Sequence, residues 1–276
     1  VKFEIAESIF SVAAVLAGPV FGIMGYRAWR IRRLLEDTPT SRIRSMAMGL
    51  VEVHGTVESR SRTVAPFSGR PCAYWQVEVA TGSRGKNGRV SYSTVYHECS
   101  GHPFYLVDQE GVALVYPQDA LCKLPFGIEE ETPGPGQPEP YASYLKEKHM
   151  GLRVMWGAGP MRFRERILED GAGLFVLGRA FPKAMALTVS ADDEALEATG
   201  TETVGAAHVR SRDADVQGVI RRGPGDPTFV LSPSSEKAMA FDYGLKATAG
   251  LLAAPAVTLF GVWCLLELAK AGQLFR

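Results

Sequence analysis

Two long stretches without a single charge decide most of what this chain can become. Ser8 to Tyr26 (SIFSVAAVLAGPVFGIMGY) and Ala247 to Leu266 (ATAGLLAAPAVTLFGVWCLL) contain no Asp, Glu, Lys or Arg. A helix rises about 1.5 Å per residue, so roughly 20 apolar residues cross a hydrocarbon core of ~30 Å. The spacing predicts transmembrane helices over 8–26 and 247–266. Both runs contain Gly and Pro (Gly18-Pro19, Pro255, Gly261), which membrane-spanning helices tolerate better than soluble ones. A signal peptide would carry its positive charge ahead of the apolar run. Here Lys2, Glu4 and Glu7 precede the first run, and Arg27, Arg30, Arg32 and Arg33 follow it. That order is expected of an uncleaved anchor.

Positive charge also predicts orientation, because Lys and Arg beside a span resist translocation. The side facing the middle of the chain carries Arg27, Arg30, Arg32, Arg33, Arg42, Arg44, Lys237 and Lys246, while the outer side carries Lys2, Lys270 and Arg276. The middle segment is therefore expected in the cytoplasm, in a two-pass arrangement. Tyr26, Trp29, Phe241 and Tyr243 fall at interfacial positions. The arginines Arg27, Arg30, Arg32 and Arg33 are the expected membrane-surface residues, each worth ~1 kcal/mol beside anionic headgroups.

Between the spans, residues 36–237 read as one domain or two small ones. Lys+Arg and Asp+Glu are 30 each, so the net charge is zero. That excludes a generally basic nucleic-acid binder, and no nucleic-acid partner is expected. Apolar and polar residues alternate with period two over 50–57, 72–79, 90–96, 152–156, 161–167, 173–178 and 185–189, as in half-wet strands. Phe104–Val107 and Val112–Tyr116 flank Asp108-Gln-Glu-Gly111, a hairpin signal. Many short strands with Gly-rich turns predict a β-rich, barrel- or sandwich-like domain. The acidic, Pro/Gly-rich segment 129–140 (EEETPGPGQPEP) reads as an exposed loop that forms no ladder. Gly82–Arg89 reads as a basic hairpin tip, and Ser232-Pro233 as a helix start leading into the second span.

Candidate chemistry is sparse. His97, Cys99 and His102 are weak metal candidates. Their order, HECSGH, departs from H-E-x-x-H by one position, and no fourth ligand is evident. Cys72 and Cys122 read as small buried hydrophobes, and Cys264 as a packing residue within the second span. There is no G-x-S-x-G elbow, and Lys86-Asn87 breaks a phosphate-loop pattern. No catalytic residue, cofactor or metal is expected.

Several motifs occur in one order: Asp37–Ser45 with Gly49–Gly55, Ser68–Trp75 (SGRPCAYW), Pro103–Gly111, Leu174–Ala180, and Phe229–Lys237 (FVLSPSSEK). In these the chain resembles the GIDE domain family (also called BAM, "beside a membrane"). The family includes prokaryotic proteins and the mitochondrial membrane ubiquitin ligase MULAN. The resemblance implies a domain bracketed by two spans, in a bacterial cytoplasmic membrane. It implies a binding or scaffolding module at the bilayer, with a membrane-associated protein, a peptide or lipid headgroups as partner. It also suggests a RING-type E3 ubiquitin transferase as an alternative. A RING needs about eight Cys/His ligands in paired spacing. This sequence has four Cys and no C-x-x-C, and the residues after Leu266 are expected to be too few for such a module. The RING, and with it ligase activity, is expected to be absent.

Overall fold

The computed structural model describes residues 2–37, 41–61, 63–85, 87–133, 136–150, 159–184, 206–224, 229–233 and 236–270. The chain divides into two compact units, Val1–Pro39 with Ser234–Arg276, and Thr40–Pro233. The α-helices are α1 (Lys2–Asp37), α2 (Tyr141–Glu147), α3 (Ala206–Asp215) and α4 (Glu236–Lys270).

In the first unit α1 and α4 form an antiparallel pair. Both are long and apolar enough to cross a membrane. They extend beyond the uncharged runs, because Lys, Arg and Glu favour helix as well as the apolar residues do. Small residues let the two backbones meet. Gly261 faces Ser11 and Val15, Thr258 faces Gly18, Ala254 faces Gly22, and Gly250 faces Gly25. A Cβ at Gly25 would lie 2.7 Å from the Leu251 backbone nitrogen, and one at Gly250 would lie 2.7 Å from the Gly25 Cα. The large side chains point the other way. Phe10, Leu16 and Met24 on α1, and Leu252, Leu259 and Trp263 on α4, are all more than half exposed.

The second unit is β-rich. Its strands are β1 (Gly49–Ser59), β2 (Thr63–Val64), β3 (Pro71–Cys72), β4 (Tyr74–Arg84), β5 (Val90–Cys99), β6 (Phe104–Val107), β7 (Val112–Val115), β8 (Leu121–Cys122), β9 (Ile128–Thr132), β10 (Met161–Leu168), β11 (Gly173–Pro182), β12 (Val216–Arg221) and β13 (Val230–Ser232). β1 pairs with β6, β6 with β7, β7 with β12 and β12 with β11. β11 then returns to β1, from Gly49↔Ala180 to Thr56↔Gly173. The circuit is a closed five-strand barrel, extended from β11 by β13 and β8. Alternation dictates its inside: Val51, Val53 and Val57 of β1, Phe104 and Leu106 of β6, and Leu174 and Val176 of β11 share one buried core. The expected hairpin is the β6–β7 turn. Asp108 makes it locally, accepting the Glu110 and Gly111 amides at 2.8 and 2.7 Å through Oδ1 and the Ile43 amide at 2.8 Å through Oδ2. α3 is clasped to this unit by Asp213, which meets Arg60 at 3.3 Å and accepts the Tyr105 hydroxyl at 2.7 Å.

A second, antiparallel sheet runs β5-β4-β10-β9. One face is covered by α2. Tyr141 stacks on Phe163 at 4.3 Å, and Phe67 meets Tyr141 and Tyr144 edge-on at 5.0 and 5.1 Å. Glu165 is buried on that face, and its carboxylate accepts the Phe67 amide at 2.7 Å and the Ser68 amide at 3.2 Å. A buried carboxylate satisfied by loop amides fixes the loop that carries Phe67.

Two expectations need correction. The segment 129–140 does form a ladder: Ile128–Thr132 is β9, paired with β10 from Glu165↔Ile128 to Met161↔Thr132. Two of its glutamates, Glu129 and Glu131, sit opposite Arg164 and Arg162, so the strand is stabilised across the ladder. Ser232 is a buried residue of β13 opposite Phe175 rather than a helix cap. Tyr243 is buried, whereas Tyr26, Trp29 and Phe241 are exposed. The expected strands at 152–156 and 185–189 lie outside the described residues.

Candidate functional site

The face of the four-stranded sheet opposite α2 gathers a cluster of charged and aromatic side chains that sequence reasoning left unassigned. Period two along β10 sends Met161, Phe163 and Glu165 towards α2 and Arg162, Arg164 and Arg166 to the other side. Register then aligns columns across the strands. Glu131, Arg162, Ala80 and Thr94 form one row, and Glu129, Arg164, Glu78 and His97 form the next. Arg166, Gln76 and Cys99 form a third.

Arg164 and Arg166 are each held on two sides. Arg164 Nε donates to Glu129 Oε1 at 2.8 Å. Arg166 Nη1 donates to Gln76 Oε1 at 3.2 Å and to the Cys122 carbonyl at 3.1 Å, and lies 3.6 Å from Glu78. Aromatic rings complete the cradle. Phe126 lies under both Arg164 and Arg166, at 4.6 and 4.0 Å from ring centroid to guanidinium, and Tyr92 lies 4.4 Å from Arg162. The Nε atoms of Arg162 and Arg166 are buried with no hydrogen-bond partner among the described residues. Stacking on an aromatic ring holds a guanidinium flat.

His97 reaches this face and hydrogen-bonds to Gln76, so a relay runs from Arg166 through Gln76 to the imidazole. Cys99 stands one row further along and packs against the barrel core. His102 lies beyond Gly101, whose φ of +68° turns the chain. The three candidates therefore do not converge, and among the described residues no three His, Cys, Asp or Glu side chains are grouped to hold a metal ion. Burial pushes the Cys72 thiol up to about 11, and burial raises Cys122 as well. A thiol held protonated in this way packs rather than attacks.

Sequence reasoning missed the arginine row. Its signal was present in Met161-Arg-Phe-Arg-Glu-Arg-Ile167. Three arginines at alternate positions of a strand must share one face. What could not be read was the arrival of Glu129 and Glu131 beside them. The membrane-surface candidates belong to α1: Arg27, Arg30 and Arg33 are exposed, and Arg32 pairs with Glu36 at 2.8 Å.

The structure thus defines a small closed barrel with an appended, charge-laddered sheet, bracketed in sequence by two apolar helices. No protein-family model matches the chain, and neither a curated protein nor a solved structure matches it.

Proposed function

We propose that this protein is a two-pass membrane protein whose β-rich domain is a binding or scaffolding module, with the arginine-bearing face of the four-stranded sheet as its contact surface. One observation carries the membrane half of the reading. The α1–α4 pair buries glycine and alanine at its seam and turns Phe, Leu, Met and Trp outward. That is the reverse of a helix pair folded in water, and it suits a solvent of lipid chains, where close backbone packing replaces the hydrophobic effect between helices. Exposed Arg27, Arg30 and Arg33 at one end of α1 support an orientation with the β-rich domain in the cytoplasm of a bacterial cell. Membership of the GIDE/BAM family belongs to the same reading and rests on the motifs in the sequence. The partner fitted by fixed guanidinium edges and a half-buried aromatic ring is a membrane-associated protein or peptide rich in carbonyl and carboxylate acceptors. Among the described residues no geometry favours the ubiquitin-ligase alternative.

Three experiments test this. After alkaline carbonate washing the chain should stay with the membrane pellet, and its release would sink the membrane reading. An Asn87→Cys variant should resist a membrane-impermeant maleimide in intact cells and react after lysis. For the contact surface, a photo-crosslinker at exposed Glu131, in the arginine row, should capture a partner in native membranes that one at exposed Glu147, on α2, does not. Equal capture at both positions would count against the assigned face.

A further inference from the structure

The two edges of the four-stranded sheet are built differently. At one edge β9 presents Glu129, Glu130 and Glu131, all exposed. A run of like charges keeps another strand from adding there. At the other edge β5 has no Pro, Lys or Arg across its ten residues. Its one acidic side chain, Glu98, is taken up by Tyr144 and Lys148. Among the described residues nothing pairs with the outer side of β5. Ser91, Ser93 and Thr94 are exposed. A long edge without Lys, Arg or Pro, whose one carboxylate is engaged, is a template for strand addition.

The local geometry selects the added strand. β5 carries a bulge at Val95, where Tyr96 sits opposite Val79 and Thr94 opposite Ala80. Ahead of the bulge, Val90–Thr94 is regular. Val90, Tyr92 and Thr94 lie on the arginine face, and Ser91 and Ser93 lie on the other. This segment is complementary to itself. Inverted about Tyr92, it sets Val90 opposite Thr94, Ser91 opposite Ser93 and Tyr92 opposite Tyr92. Every pair then shares a face, and no charge meets a like charge. Aromatic, β-branched and hydroxyl pairs of this sort are the favourable ones across an antiparallel ladder. The chain's formal net charge of zero adds no long-range repulsion between copies.

We propose that the β5 edge is a homodimer seam. A second copy of the chain pairs its Val90–Thr94 antiparallel with the same segment about a two-fold axis at Tyr92. The two four-stranded sheets then become one continuous sheet, whose arginine faces lie on the same side.

The test uses the full chain in membranes, with a Tyr92→Cys variant oxidised by copper phenanthroline. Antiparallel partners are ~4.5–5.5 Å apart at Cα, within the ~4.4–6.8 Å that a disulfide spans. A disulfide-linked dimer above the background of the unmodified chain is expected. Thr94→Cys is the register control, because its two copies would stand ~13 Å apart along the strand and should not link. Val90→Cys combined with Thr94→Cys should link. Absence of the Tyr92→Cys dimer, equal linkage by Thr94→Cys, or linkage of Tyr92→Cys to a different protein would each overturn the proposal. A second measurement does not depend on cysteine chemistry. By light scattering in detergent the chain should self-associate, and exposed Ser93→Lys should weaken that association by ~10-fold or more with an unchanged melting temperature. A monomeric parent chain, or undiminished association of Ser93→Lys, would also overturn it.

Discussion

The helix pair and the barrel solve the same packing problem in opposite ways. In the barrel the core is filled by bulk: Phe104, Leu106, Leu174 and Val176 are wholly buried, and alternate positions keep them inward. Between α1 and α4 the seam is filled by absence. Gly18, Gly22 and Gly25 face Thr258, Ala254 and Gly250, and backbone touches backbone. Water drives large side chains out of sight in the first case. In the second, dispersion between closely approaching backbones does the work, which suits a surrounding as apolar as the side chains themselves. A removed side chain should therefore damage the barrel, and an added methyl should damage the helix pair.

The largest effect is expected in the barrel. Phe104→Ala should destabilise the β-rich unit by ~3–5 kcal/mol through lost burial and a residual cavity, read as a shifted denaturant midpoint for the full chain in detergent. A shift below a third of that range would mean that the core collapses around the gap.

The converse change comes next. Gly25→Ala places a Cβ against the Leu251 backbone nitrogen at 2.7 Å. Overpacking of this kind costs ~1–3 kcal/mol. Disulfide trapping between cysteines at Gly22 and Ala254 should drop with it, while the Phe104-sensitive transition stays put. An unchanged trapping rate would remove the contrast between the two regions.

A smaller effect separates α2 from the sheet it covers. Burial pushes the Glu98 carboxyl upward, but donors from Lys148 and Tyr144 outweigh it and hold it below its ordinary value of 4.5. Burial pulls Lys148 down, and Glu98 outweighs that too, holding it above its ordinary 10.5. The sign follows for each group. The Glu98 contribution is present above the ordinary carboxylate value and is lost as pH falls through its depressed value. The Lys148 contribution is present below the ordinary lysine value and is lost as pH rises through its elevated one. Lys148→Met should cost about 1 kcal/mol at neutral pH, and its difference from the parent chain should shrink towards both extremes. A difference independent of pH would assign the loss to packing over the Tyr144 ring instead.

Least of all is expected from the polar face as a source of stability. Arg164→Ala breaks a half-exposed pair with Glu129 and should cost under ~1 kcal/mol in the melt. The same variant should lose most partner capture in native membranes. If the melt falls steeply and capture persists, the arginine row is scaffold rather than contact surface.

Some of this was visible in the residues. Uncharged runs at 8–26 and 247–266 could only be apolar helices, because length and hydropathy are local properties. Alternation at Leu50–Val57, Val90–Tyr96 and Met161–Ile167 announced strands, because the side-chain period of a strand is a backbone property. Asp108-Gln-Glu-Gly111 announced its turn, because an aspartate that bonds its own following amides needs no distant help. Other features were decided only in three dimensions. Glu129-Glu130-Glu131 became a strand because Arg162 and Arg164 came to lie beside it, and a cross-strand partner has no fixed separation in sequence. His97, Cys99 and His102 looked like ligands by proximity along the chain, yet His97 found Gln76 and Cys99 found the core. The closure of β11 on β1, the bulge at Val95 that leaves Val90–Thr94 regular, and the meeting of Gly25 with Gly250 all join residues far apart in the chain. Local sequence sets which way each side chain can point. Only the tertiary fold, by bringing distant segments into register, sets what it points at.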